Sequence, residues 1–399
     1  MFGFIGILWS YALLSFGGVL PHSALGSQLA LVGGVIGLLA VWSVQKRVKD
    51  ASLFAALVGA LAIGIWLGPR MGVPMYAGIW AFYAARESGD RGVVRFLHFL
   101  LFVGLAEALL GLFQYFVTPG WIFGYVNAGS PPSGTLINRN HFAGLLEMLV
   151  PVAFGLSYLV ARRHRDAFRS YVYLMVGAVI SLAVIFSASR MGIMSLFATL
   201  GFMGLMIRMR ASQKRIATVM GFGLFGLILG GALWIGVDGI LGRYGTLLEA
   251  DAALREGRMI VYRDSLKMIA DNSWGVGVDG YRDVFRQYQT FRPGLLFDHA
   301  HNDYLETAAE WGVVPAVAFW ALVIGVLIQS IRTFLSVASP ERRGILLASS
   351  GAIFAILVHS LTDFNLQILS NAMLFCIFVG IALTAISRIE TGEGEGGRQ

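Results

Sequence analysis

Long apolar runs and short polar breaks alternate along nearly the whole chain. Most runs approach the ~20 residues that an α-helix needs to span hydrocarbon. They predict twelve membrane-crossing helices, at roughly 3–20, 28–44, 51–68, 73–85, 93–117, 142–161, 171–188, 191–207, 216–236, 313–331, 344–361 and 370–387. The fourth is short, and only the turn at Ser189-Arg190 divides the seventh from the eighth. A count of ten or eleven is the competing reading. One long stretch, Val237 to Gly312, breaks the rhythm with mixed charges and aromatics, and predicts amphipathic helices near 253–271 and 302–311. Between them Gly275-Val-Gly-Val-Asp-Gly280 follows Asp271-Asn272 and reads as a turn. No strand pattern leads into it, so its Gly-x-Gly pair is a weak nucleotide signal.

The pattern divides the chain into 1–141 (helices one to five and the first outer loop), 142–236 (helices six to nine), 237–312 (the large loop), 313–389 (helices ten to twelve) and a Gly/Glu-rich tail, 390–399, expected to be disordered. The expected fold class is an all-α polytopic membrane protein. The first run lacks a basic leader and a small-residue cleavage site, so it is expected to remain as a helix.

Charge orients this arrangement. With the N-terminus in the cytoplasm, the inner loops and the tail carry 19 of the 30 Lys and Arg residues, as clusters such as Lys46/Arg47/Lys49, Arg162/Arg163/Arg165/Arg169 and Arg208/Arg210/Lys214/Arg215. Each short outer loop holds at most one, and the other eight lie in the large loop. Long loops cross largely regardless of charge, so both termini are expected inside. Composition agrees: 57% of residues are hydrophobic and only 13% charged, against about 25% in soluble domains. That excludes an ordinary soluble enzyme or nucleic-acid binder, despite a net charge of +7. Cys376 sits in an apolar run, where packing is the plain reading.

The unusual polar clusters all fall on the expected outer side. Asn138-Arg139-Asn140-His141 enters the sixth helix; either Asn140 caps that helix or Arg139 and His141 face a polar headgroup. Arg190 stands between two apolar runs, either snorkelling to lipid phosphate or serving a function. In Arg255-Glu-Gly-Arg258-Met-Ile-Val-Tyr262-Arg263, helical spacing puts Arg255, Arg258 and Tyr262 on one face, as a solvated surface or an anion clamp. In the segment Asp298 to Trp311, Asp303, Glu306 and Glu310 share a helix face with His301 at its start. A His-x-His pair beside carboxylates can bind zinc, yet no cysteine or His-Glu-x-x-His accompanies it. The alternative is a general base tuned by a carboxylate. His359-Ser-Leu-Thr-Asp363-Phe-Asn365 reads as a buried polar set at a helix end.

These pieces, Asn138-Arg-Asn-His141, Ser187-Ala-Ser-Arg190, Gly257-Arg258, His301-Asn-Asp-Tyr-Leu-Glu306 with Glu310-Trp-Gly312, and His359-Ser-Leu-Thr-Asp363-Phe, resemble in order and spacing the O-antigen ligase/polymerase family of bacterial envelope glycosyltransferases. The resemblance covers about 138–364; the first five helices match only in hydropathy. It implies a C-type glycosyltransferase-like, inverting, metal-independent enzyme of the bacterial inner membrane, without cofactor. Such an enzyme takes a glycan from undecaprenyl diphosphate on the periplasmic side and gives it to lipid A-core (ligase) or to another lipid-linked glycan (polymerase). It implies functional roles for Arg190, Arg258 and His301, and weaker ones for Arg139, Arg255 and Arg263.

The residues suit that chemistry. Arginines can neutralise a departing diphosphate, and no Asp-x-Asp metal motif occurs in the large loop. Arg190 and Arg258 are therefore expected on the diphosphate. His301 is expected to take the acceptor proton or position the acceptor, oriented by Glu306 or Asp303, with His141 and Tyr262 nearby. A carrier is the competing class, but it should show charged or broken segments near the midplane, where only Glu107 and Glu147 stand out. A passive assembly partner is the third.

Overall fold

The computed structural model describes residues 2–14, 69–119, 121–122, 125–126, 132–210, 257–290 and 297–387. Spans expected at 28–44, 51–68 and 216–236, the tail 390–399 and residue Arg255 lie outside the described residues. Among the described residues seven helices are long and apolar enough to cross a membrane, which makes this a multi-pass helical membrane protein.

In chain order the helices are α1 (Phe2–Leu14), α2 (Pro69–Phe116), α3 (Arg139–Arg163), α4 (Ala167–Phe186), α5 (Arg190–Met209), α6 (257–271), α7 (Tyr281–Phe285), α8 (Asp303–Trp311), α9 (Val313–Ser336), α10 (Pro340–His359) and α11 (Leu369–Ser387). A two-stranded antiparallel ribbon, Trp121–Ile122 with Tyr125–Val126, follows α2.

α3 is the axis of the bundle, buried on every face from His141 to Val160. Small residues bring its neighbours close: a Cβ on Gly155 of α3 would overlap the Gly344 carbonyl of α10. The spans expected at 73–85 and 93–117 run together in α2, interrupted only at Gly89, with φ +70° and ψ −179°. The chain reverses there. Before Gly89, α2 runs parallel to α11, with Gly78 against Cys376 and the Phe82 carbonyl accepting from Thr384 Oγ1 at 2.9 Å. After it, Gly104 meets Leu149 and Gly111 meets Phe142, antiparallel to α3. A positive φ of this kind suits glycine, so two helices can meet with almost no loop. We expect Gly380→Val, whose Cβ would overlap the Gly78 carbonyl, to destabilise the protein by about 1–3 kcal/mol. Thermal unfolding in detergent checks this; an unchanged midpoint would contradict the close α2–α11 crossing.

The bundle has two unlike ends. At one, Arg163 pairs with Glu341, Arg342 lies 3.8 Å from Asp90, and Arg210 donates to the carbonyls of Phe334, Leu335 and Val337. At the other, α3, α5 and α11 begin, α4 and α10 end, and the loop segments α6 to α8 pack together. Val261, Met268, Tyr281, Phe285, Ala300 and Ala309 form a small separate core there. The Gly275–Gly280 stretch is a clasp: Val276 N donates to Ala309 O (2.9 Å), Gly277 N to Glu310 O (3.0 Å) and Val313 N to Ser273 O (3.0 Å). Gly275 has φ +86°, and a Cβ there would strike the Gly312 backbone. The glycines thus serve a close backbone crossing that ties the loop to α9.

Candidate functional site

The arginine-poor apolar helices and the loop meet at a cavity of about 320 Å3. Each of its three arginines comes from a different local device. Asn138 caps α3 by accepting from Asn140 N at 2.8 Å, which places Arg139 in the first turn. The expected cap, Asn140, is instead the donor and lines the cavity. Ala188 in the left-handed region (φ +54°) turns the chain between α4 and α5, and Ser189 caps α5 by accepting from Gly192 N at 3.2 Å. Arg190 is thereby the first residue of α5, at the end where unpaired backbone N–H groups favour an anion. Arg258 and Tyr262 stand one turn apart on α6, on the same wall. Met191, Met194 and Met259 give the cavity an apolar side.

His301 lies just behind this wall. It too is left-handed (φ +52°), and its carbonyl accepts from Tyr262 Oη at 2.8 Å. Burial pushes the Tyr262 hydroxyl up, so it stays a neutral donor. The His301 ring faces Asp363, Nδ1 to Oδ1 at 3.8 Å, and Asp363 itself lines the cavity.

Asp363 is the hub that the sequence reading left among structural residues. It is 1% exposed, with His141 Nε2 at 4.0 Å and His359 Nε2 at 3.9 Å as well as His301. Burial alone would raise its carboxyl, but the facing imidazoles hold it well below the usual carboxylate range. Phe364 beside it packs three imidazole rings, stacked against His299 at 4.1 Å and edge-on to His141 and His301 at 4.7 and 4.9 Å.

The structure separates the other expected residues from His301. Asp303 is fully buried; it accepts from Ser360 Oγ at 2.7 Å and Leu366 N at 3.2 Å, and burial raises its carboxyl. Glu306 accepts from His299 Nδ1 at 2.6 Å and Ala300 N at 2.8 Å, so it holds His299 and not His301. Neither is the carboxylate nearest His301; that is Asp363. Arg263 turns to Asp264 and Thr290, away from the cavity. Among the described residues no group of three or more His, Cys, Asp or Glu is placed to hold a metal ion.

A second, polar cavity of about 350 Å3 lies on the other side of His299, lined by Glu310 among others. Burial, with Glu306 and Asp279 nearby, pushes the Glu310 carboxyl up to about 8. The folded protein then holds a proton that the unfolded chain releases near its ordinary value of 4.5, so stability falls as pH rises from about 4.5 to 8. We expect Glu310→Gln to flatten that fall in unfolding temperature between pH 5 and 9; an equally steep fall would contradict the buried neutral acid.

The fold and this site define a class: a multi-pass helical membrane protein with a cationic, methionine-lined cavity at one end of the bundle. Residues 175–321 match the model of a family described as O-antigen ligase, and the match supports the O-antigen ligase/polymerase family for this chain. The matched stretch includes Arg190, Arg258 and His301, whereas Arg139, His141 and Asp363 lie outside it. No curated protein matches the chain.

Proposed function

We propose that this protein is an O-antigen ligase-type glycosyltransferase of the bacterial inner membrane, with the cavity on the periplasmic side and both termini in the cytoplasm. It moves a glycan from undecaprenyl diphosphate to lipid A-core. One observation carries the reading: arginines from three separate elements line one cavity that three methionines give an apolar side, beside an imidazole–carboxylate pair. A lipid diphosphate needs that combination of fixed positive charge and apolar surface. The basic end of the bundle, opposite the site, supports the orientation.

In this reading Arg190 and Arg258 grip the diphosphate, with Arg139 adding a third positive charge. Guanidinium groups stay charged when water is excluded and bind phosphate oxygens in pairs. Asp363 faces His301 Nδ1, which leaves Nε2 to accept the proton of the acceptor hydroxyl. The acceptor oxygen forms its bond to the anomeric carbon as the bond from that carbon to the diphosphate oxygen breaks, and the diphosphate leaves with the electron pair. A single displacement inverts the anomeric centre.

The test is transfer by the purified protein in detergent with EDTA, given a lipid-linked glycan and lipid A-core. Glycan-capped lipid A-core and free undecaprenyl diphosphate are expected, at a rate EDTA leaves unchanged. Lengthened lipid-linked glycan without capped core would make the protein a polymerase. No covalent product would sink the reading, and cysteine labelling of position 301 from the cytosolic side would reverse the orientation.

A further inference from the structure

Glu147 is an acidic residue about two turns into the most buried helix, with no exposed surface. An ionisable group placed there is costly and calls for a partner. That partner is His359 at the end of α10, equally buried, whose Nδ1 lies 2.8 Å from Glu147 Oε1. One proton is shared between the two groups in this hydrogen bond. The other nitrogen, Nε2, has no hydrogen bond and faces Asp363 Oδ2 at 3.9 Å. Asp363 Oδ1 in turn faces His301. A line of alternating carboxylates and imidazoles thus runs from the bundle interior to the cavity wall.

We propose that Glu147 and His359 are positioning residues for glycan transfer, acting through Asp363 to keep its carboxylate turned toward His301. This rests on the proposed function. The arginines cannot do the task, since a bound diphosphate engages them. Other groups also face Asp363: His141 from α3, Asp303 through the Asp363 carbonyl and Ser360, and Arg139, Arg190 and Arg258 around the cavity. Of the imidazoles at Asp363, His359 has a buried carboxyl group hydrogen-bonded behind it. A simple α3–α10 pin would need the Glu147–His359 contact but would not need Nε2 turned to Asp363.

The experiment compares kcat and KM of wild type, Glu147→Gln, Glu147→Asp and His301→Ala in the purified transfer assay. In Glu147→Gln the hydrogen bond that fixes the His359 ring is weakened, so kcat should fall about tenfold or more. KM for the lipid-linked donor should stay within about twofold, because the arginines are untouched. Glu147→Asp, which keeps the carboxyl group, should lie nearer wild type. If wild type transfers glycan, His301→Ala does not, and Glu147→Gln keeps the wild-type kcat or loses it together with donor binding, this inference fails while the function stands. If wild type transfers nothing, both fall. Should Glu147→Gln not fold, His359→Gln is read in its place, and an unchanged kcat in it overturns the proposal.

Discussion

Alanine at position 301 is expected to lower kcat for glycan transfer by about 10²–10⁴, the usual worth of a positioned general base. KM for the lipid-linked donor should change little, since His301 lies behind the cavity wall while the arginines line it. Asp363→Asn should approach the same loss. When His301 takes the acceptor proton it becomes a cation 3.8 Å from the Asp363 carboxylate. At an effective dielectric near 20, opposite charges about 4 Å apart attract by about 4 kcal/mol, or roughly three decades in rate if the pairing forms only in the transition state. Asparagine keeps the shape and removes the charge. The double variant should be little worse than either single one, because the two groups act as a unit. Additive losses would separate them. Full activity in His301→Ala would end the assignment of the base.

Why His301 could be singled out in advance while its partner could not is a matter of distance along the chain. Local signals were readable. The turn expected at Ser189-Arg190 is where α5 starts, and 3.6-residue spacing puts Arg258 and Tyr262 on one face. The same spacing groups Asp303, Glu306 and Glu310, and all three are indeed buried. Their targets are tertiary, however: Ser360 and Leu366 for Asp303, His299 for Glu306 and the Tyr281 backbone for Glu310. The left-handed turn at His301 also lets its ring face Asp363, from the far end of α10. No periodicity links positions 301 and 363. The signal present in the sequence was the intramembrane Glu147: an acid in an apolar helix requires a partner, and following it to His359, then four residues on, reaches Asp363. The cap was missed by two residues because Asn138 and Asn140 are equally good capping types, and only the backbone tells which one stands outside the helix.

Substituting lysine for Arg258 or Arg190 tests whether the cavity binds a phosphorylated ligand through geometry or through charge alone. Lysine keeps the charge but loses the planar fork that meets two phosphate oxygens at once. One charge-assisted hydrogen bond is worth about 1.5–3 kcal/mol, so losing one should cut kcat/KM for the lipid-linked donor about 10- to 100-fold. Alanine removes the charge as well and should cost about 10²–10³, as for other preorganised groups aimed at developing charge. The two kinds of loss separate in the rate constants. A grip made equally on bound donor and transition state appears in KM; one that tightens as the diphosphate leaves appears in kcat. Arg190, at the first turn of α5 with the helix N-terminus behind it, sits in a rigid setting suited to the second kind. Arg258 is carried on the loop helix α6 and suits capture of the donor. We therefore expect Arg190→Lys to act mainly on kcat and Arg258→Lys mainly on KM, with Lys267→Ala, on an exposed part of the same helix, as control. Lysine variants indistinguishable from wild type would mean that the guanidinium groups serve the fold and not the diphosphate.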